Sequence, residues 1–207
     1  MMLQPIVEGH GDVKAVPVLL RRLAREARIY DFQVGEPIRK SSTELLQKEG
    51  LQRAVKIAKL KPECSGILVL FDSEDVCPKE LAGQLAEWAT EASQGIPCAV
   101  VLPHSEYEAW FLASIESLRG KFGIRENSEP PQDPESIRGA KEALEYCMES
   151  GRSYHETVDQ EHFSAVFDLK MTYQRSRSFK KLIKTFSELV NAMGVRLNSW
   201  PPADWLN

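Results

Sequence analysis

The chain has 207 residues, 43% of them hydrophobic and 27% charged, with a formal net charge of -4. That suffices for one compact domain with a sizeable core, or a core with a small appendage. Two full domains would be a tight fit, and the chain lacks the polar excess of a disordered one. The acidic balance supplies no long-range attraction to nucleic acid or an anionic membrane, so any such binding needs a local patch.

Short apolar runs alternate with stretches of helical period, the pattern of βαβ units and a largely parallel sheet. Leu3–Val7 (LQPIV) reads as a first strand, although Pro5 removes a ladder donor and argues for an edge position. It leads through VEGHGD into a segment with Val16, Leu19, Leu20 and Leu23 on one face and Arg21, Arg22, Arg25 and Arg28 mostly on the other, an amphipathic helix. YDFQVGEPI (30–38) is a second strand, and a helix follows over about Thr43–Lys59. GILVLF (66–71) is apolar throughout, as in strands covered on both faces.

Pro78 fits the first turn of the next helix, with Leu81, Leu85, Trp88 and Ala92 facing inward. CAVVL (98–102) is a further strand, and a helix from about Ser105 carries Trp110, Phe111 and Leu112. RENSEPPQDPES is polar and proline-rich, a loop or linker. Beyond it the period is helical, ending in a stripe of Phe179, Leu182, Ile183, Phe186, Leu189, Val190 and Met193. The divisions expected are an α/β core over 1–118, a proline-rich loop over 119–136 and a helical extension over 137–207 packed on that core.

Cys64, Cys77, Cys98 and Cys147 are widely spaced and read as small core residues in a reducing compartment. There is no signal-peptide pattern, and no apolar run approaches the ~20 residues that cross a bilayer. The expectation is a cytoplasmic protein with no membrane contact.

Functional groups in a parallel α/β sheet collect at the carboxyl ends of strands. Three of these strands lead into acids: Glu8 and Asp12 after the first, Asp72 and Glu74 in FDSED, Glu106 and Glu108 in PHSEYEAWF. Carboxylates gathered on one edge repel unless a proton or cation intervenes, and oxygen ligands without a Cys/His cluster favour magnesium, manganese or calcium. Gly9 and Gly11 would permit a tight turn and close approach of a phosphate. Simpler readings stand beside this one: Asp12 as a helix N-cap, Ser105-x-x-Glu108 as a capping box, Asp72 and Glu74 as turn residues. A transition-metal site of His10, His104 and Asp72 ranks below both.

VEGHGD, LVLFDSED and HSEYEAW together resemble the TOPRIM (topoisomerase and primase) fold, with a Glu after the first strand and a D-x-D pair after a later one. The nearest branch is the nucleases that include the overcoming-lysogenization-defect proteins, where an S-x-x-E motif and a Lys are added. EAWFL and the late VDQEHFSAVFDLK…RSRSF also resemble a bacterial domain-of-unknown-function family, number 4276, that carries this core. The fold implied is α/β and TOPRIM-like (Rossmann-like): a mostly parallel sheet flanked by helices, with a C-terminal helical extension.

The resemblance implies Mg2+ or Mn2+ held by Glu8, Asp12, Asp72, Glu74, Ser105 and Glu108, with Glu8, Asp72, Glu74, Glu108 and Lys170 in catalysis. Glu74 stands where the pattern has Asp. The activity implied is phosphodiester cleavage of nucleic acid, DNA before RNA, in phage defence or repair. An ATPase would come from another chain, since no ATP-binding motif is present, and oligomers are allowed. A non-catalytic subunit of the same shape is the alternative. Between Leu169 and Ser187, Lys170, Arg175, Arg177, Lys180, Lys181 and Lys184 are unaccompanied by acids. The last five form a candidate phosphate-backbone footprint, which with the arginines of the first helix would flank the crevice. A solvated helix face is the plain alternative.

Overall fold

The computed structural model describes residues 1–72 and 78–206. β1 (Met2–Val7), β2 (Gln33–Val34), β3 (Ile38–Arg39), β4 (Cys64–Leu70) and β5 (Cys98–Val101) form one sheet with every pairing parallel. The order is β2-β1-β4-β5, with β3 also on β1. Helices α1 (Asp12–Glu26), α2 (Ser42–Leu45), α3 (Lys48–Lys59), α4 (Pro78–Ser93) and α5 (Ala109–Ala113) connect or follow the strands. Then come α6 (Ala140–Tyr146), α7 (Glu156–Val166), α8 (Leu169–Arg175) and α9 (Arg177–Ala192). The architecture is Rossmann-like, with a helical C-terminal region.

The unbroken apolar run of β4 follows from cover on both faces. Because side chains alternate across a strand, Ile67 and Val69 join Ile6 in a cluster with Leu51, Val55, Leu85 and Ala89 of α3 and α4. Leu68 and Leu70 join Leu3 and Val7 in the opposite cluster, with Leu19 and Leu23 of α1, Phe163 of α7 and Phe179 and Phe186 of α9. That second cluster is aromatic: Trp110 meets Phe179 at 5.2 Å, Phe111 meets Phe163 at 5.4 Å and Phe167 at 5.4 Å, all edge to face. The helices after residue 137 therefore complete one of the two layers over the sheet.

Several local expectations are corrected. β1 is central, yet it tolerates Pro5. The carbonyls of Met1, Leu3 and Val7 accept from Gln33, Gly35 and Lys40, so the peptide groups of odd-numbered residues face the β2–β3 side. The missing donor of Pro5 falls in the break between those short strands, where Gln4 Nε2 donates to the Pro5 carbonyl at 3.1 Å and to the Glu36 carbonyl at 2.7 Å. The expected single second strand is thus two dipeptides separated by Gly35, Glu36 and Pro37.

The helix expected over Thr43–Lys59 is likewise broken, into α2 and α3. The helix expected from Ser105 begins only at Ala109, with Ser105 in the left-handed region at φ 62°. Ser105 is therefore no N-cap, and the capping-box reading fails. The proline-rich segment 119–136 is anchored to the rest of the fold: Ser128, Pro134 and Glu135 are buried, and Pro134–Ser136 forms a 3-10 turn. Cys64, Cys98 and Cys147 are unpaired and partly buried, while Cys77 lies outside the described residues. Among the described residues no helix is long and apolar enough to cross a membrane.

Candidate functional site

A parallel sheet puts all its carboxyl ends on one edge, and there a pocket of about 330 Å³ opens. Glu8 enters it directly after β1, Asp72 two residues after β4, and Glu106 and Glu108 from the loop after β5. Arg39 ends β3 and Ser41 follows it; Asp12 opens α1, Lys141 comes from the first turn of α6, and Glu156 and Gln160 from α7. Five of the acids named by the sequence thus meet in one place: Glu8, Asp12, Asp72, Glu106 and Glu108. Glu74 lies outside the described residues.

Each acid is held differently. Asp12 is buried, and both its oxygens are taken: Oδ2 accepts from the Gly9 N–H at 2.8 Å and Oδ1 from Gln160 Nε2 at 2.8 Å. It is the first residue of α1, behind the cap position occupied by Gly11, so the simple N-cap reading is replaced. Its carboxylate reaches back to close the Glu8–Gly9 turn. Glu8 Oε1 accepts from the Ser42 N–H at 3.2 Å, a 34-residue reach that ties the turn to α2. Glu108, 1% exposed, accepts at Oε1 from the Tyr154 hydroxyl at 2.9 Å.

Electrostatics couple these groups. Burial pushes the Asp72 carboxyl well above the ordinary carboxylate range, and Asp12, Glu108 and Glu8 push it further, against Lys141. Burial raises Glu108 to about 7, with Lys141 and the Tyr154 hydrogen bond opposing and Glu106 adding. Asp12 is raised by burial, with Glu8 adding, despite its two donors. Lys141 shows the complement. Burial would lower it, but Glu156, Glu108 and Asp72 outweigh that and raise it. Its Nζ donates to Glu156 Oε2 at 2.7 Å and its backbone N–H to Glu106 Oε2 at 3.0 Å. Gly139, at φ 71°, supplies the left-handed turn that starts α6, a conformation that costs a residue with a Cβ about 1–2 kcal/mol.

Lys141 is the cation that the sequence did not reveal. Lys170, expected in that role, lines a separate cavity with Arg22 and Phe167 and faces Asp204 at 3.8 Å. Ser105 does not line the pocket, and its hydroxyl lies 3.4 Å from His104 Nδ1. His10 lines the pocket but His104 lines a different cavity, which dismantles the histidine–aspartate site. Gly11 is glycine for a reason other than a phosphate: a Cβ there would lie 1.9 Å from Gln160 Oε1 and 2.7 Å from the Glu156 carbonyl. The requirement is the close packing of α7 on α1.

The late motif VDQEHFSAVF now has a physical meaning. Asp159 accepts from the His155 N–H at 2.8 Å and from Arg152 at 3.1 Å, Gln160 holds Asp12, and Ser164 pairs with the Tyr107 hydroxyl at 3.0 Å. Phe163 fills the core between them. α7 is the buttress of the pocket's first turn.

The expected basic footprint is dispersed. Arg175 is bound to Glu116 at 2.8 Å and to the Ala113 carbonyl at 3.0 Å, Lys184 faces Glu188 at 3.6 Å, and Lys180 lies over the Tyr173 ring. Arg177 and Lys181 line a cavity beside the pocket rather than in it. Arg21 to Arg28 lie about 13 Å or more down α1 from Asp12, at 1.5 Å per residue, and Arg22 donates to the Ser164 and Phe167 carbonyls at 2.8 Å. They do not flank the crevice.

Carboxylate oxygens and no thiolate form a donor set whose chemistry fits a hard divalent cation, and the raised acids are what an uncompensated negative cluster produces. Among the described residues, however, no three His, Cys, Asp or Glu side chains stand close enough together to hold an ion as they are placed.

The fold and pocket define a Rossmann-like α/β protein with a buried acidic site at the sheet's carboxyl edge. Residues 7–187 match the family described as Domain of unknown function (DUF4276), and the chain belongs to it. No curated protein and no solved structure matches the chain.

Proposed function

We propose that the chain is a divalent-metal-dependent nuclease of TOPRIM-like type that cleaves phosphodiester bonds in nucleic acid, with DNA the first substrate to test. The observation that carries this reading is the meeting of Glu8, Asp72 and Glu108, from three different strand exits, in one pocket with Lys141. Glu8 and Asp72 would hold Mg2+ or Mn2+, with Glu108 beside them. A bound dication would polarise the phosphate and stabilise the leaving oxygen.

The chain's own residues supply the rest. Asp12 and Gln160 fix the Glu8 turn. Lys141 offsets part of the negative charge and offers its ammonium to a phosphate oxygen. Arg39, at the pocket wall, is a second cation of that kind. An ATPase partner from another chain, in phage defence or repair, and a cytoplasmic setting belong to the same proposal.

The test is nicking of supercoiled plasmid in Mg2+ or Mn2+ by wild type, Glu8→Gln and Asp72→Asn. Losses of about 100-fold or more in both variants are expected if each takes part directly in transition-state stabilisation. Equal nicking by all three would end the proposal.

One observation favours a non-catalytic subunit of the same shape: the described acids do not converge to coordinating distance. Titration calorimetry with Mn2+ separates the two, because a scaffold binds no ion in the millimolar range.

A further inference from the structure

The loop 103–108 has two sides. Glu106 and Glu108 line the acidic pocket, and His104 lines a neighbouring cavity of about 720 Å³, within the ~300–1,000 Å³ of small-molecule sites. That cavity is of another kind. Its floor is Ala82 of α4 with Val100 and Leu102 at the end of β5, and its wall is more apolar than polar. Its rim carries Arg177 and Lys181, one turn apart on the first turns of α9, exposed and, among the described residues, in no ion pair or hydrogen bond through their side chains.

The two acids that also line it are turned to internal work. Glu135 accepts from the Ser176 hydroxyl at 2.8 Å and from the backbone N–H groups of Ser178 at 2.8 Å and Arg177 at 3.0 Å. Asp133 Oδ1 accepts from the Glu135 N–H at 3.2 Å. Among the described residues, the charged groups with donors left to face an incoming ligand are therefore Arg177 and Lys181. β5 is also the last strand on its side of the sheet, so its outer backbone groups border the cavity's floor unpaired by another described strand.

An apolar floor with a cationic rim, next to an acidic pocket proposed to cut phosphodiesters, suits one kind of occupant. We propose that this cavity receives an unstacked base of a single-stranded nucleic acid, with Arg177 and Lys181 on the flanking phosphates and the strand crossing the 103–108 loop to the acidic pocket. The inference rests on the nuclease reading for the identity of its ligand. A duplex would first have to unpair and unstack the base, whereas a single strand offers it already unpaired. The single strand is accordingly the preferred form.

The test is fluorescence anisotropy in EDTA with a short labelled deoxyoligonucleotide, single-stranded and as its duplex. The proteins are wild type, Arg177→Ser with Lys181→Ser, Ala82→Phe, and the charge-matched control Arg53→Ser with Lys56→Ser on exposed positions of α3. Wild type is expected to bind the single strand more tightly than the duplex. The rim variant should lose about tenfold or more, and its log–log salt slope should fall by about 1.4, two contacts at about 0.7 each on a single strand. Ala82→Phe, at a partly exposed wall position, should weaken single-strand binding with an unchanged melting temperature.

The proposal is overturned if the rim variant binds as wild type does or loses no more than the α3 control. It is overturned equally if the duplex is preferred and Ala82→Phe has no effect. Plasmid nicking that depends on Glu8, together with unaltered binding by the rim variant, removes the cavity and leaves the nuclease reading. Loss of binding at the rim without Glu8-dependent nicking supports the cavity and removes the nuclease.

Discussion

Two buried glutamates of this chain behave in opposite ways. Glu135 is 8% exposed and Glu108 is 1% exposed. Burial alone would raise both. At Glu135 it is outweighed by hydrogen bonds from Ser178, Ser176 and Arg177, and the carboxyl sits below its ordinary range. At Glu108 the charge of Lys141, the residue's own backbone N–H and the Tyr154 hydroxyl do not outweigh it, and the carboxyl rises to about 7. Three donors grouped at the start of a 16-residue helix make Glu135 a structural anion, the cap that joins the proline-rich segment to α9. Glu108 faces other acids instead, and an anion so placed is left to be balanced by something that binds. Buried charge by itself does not mark a functional site; the number of donors the fold aims at it does.

The sharpest way to break this comparison is to neutralise each acid in turn. Glu135→Gln keeps one oxygen for the Ser176 and Ser178 donors but sets an amide NH2 against the Arg177 N–H, and should cost about 3 kcal/mol, the loss of charge-assisted bonds plus a buried donor left unsatisfied. In a domain of this size that lowers the melting temperature by about 6–12 °C. Glu108→Gln keeps an oxygen for Tyr154 and removes a repelled charge. It should raise stability at pH 8 by about 1–2 kcal/mol, less than the roughly 3 kcal/mol that a rise from 4.5 to about 7 represents, because Lys141 loses one of its carboxylate neighbours. Thermal denaturation of both variants checks the opposite signs, and a loss of stability in each would erase the distinction.

The sequence showed the acids of the pocket but could not rank them in this way. β1, β4, α1, α4 and α9 were legible because each carries a long apolar run or a 3.6-residue stripe, whose period is local. Glu8, Asp72 and Glu108 were legible because they follow strands, and a parallel sheet sends every strand end to the same edge. Lys141 was not legible. It sits in a polar stretch with no period of its own, and its place depends on a contact to Glu106, 35 residues away. Glu135 was hidden for the same reason, inside EPPQDPES, where Pro and acid residues read as solvent-exposed chain although their partners lie 41 to 43 residues further on. The break between β2 and β3 escaped because Gln4, which satisfies it, is a side chain and not a pattern.

A second contrast is in pH. The depressed carboxyl of Glu135 contributes stability above the unfolded value of 4.5, lost as pH falls through its lower folded value. The raised carboxyl of Glu108 works the other way. Above 4.5 the folded state holds the proton more tightly than the unfolded chain does, so stability declines as pH rises from 4.5 to about 7 and is level beyond. Asp72 and Asp12 are shifted in the same direction. Wild type without divalent ions should therefore melt highest near pH 5 and lower at pH 8. Glu108→Gln should flatten part of that decline, and added Mn2+ should flatten it by supplying the missing charge. Melting temperatures across pH 4 to 8 measure all three curves, and a wild type that is most stable at pH 8 in EDTA would contradict the raised acids.

The smallest expected effect separates the two lysines. Lys170 meets Asp204 at 3.8 Å with both side chains substantially in solvent, a pair worth about 0–1 kcal/mol. Lys170→Ala should lower the melting temperature by no more than about 3 °C and, since Lys170 is absent from the acidic pocket's lining, leave plasmid nicking as it is. Lys141→Ala is different in kind. It removes a cation that Asp72 and Glu108 both feel, so the stability lost with its Glu156 contact is joined by a further rise of both carboxyls. The variant's decline in stability between pH 5 and 8 should be steeper than that of wild type, and nicking should fall with it. If Lys170→Ala abolished nicking while Lys141→Ala did not, the working lysine would be the one that the sequence first suggested, and the acidic pocket would need a second chain or a moved helix to be complete.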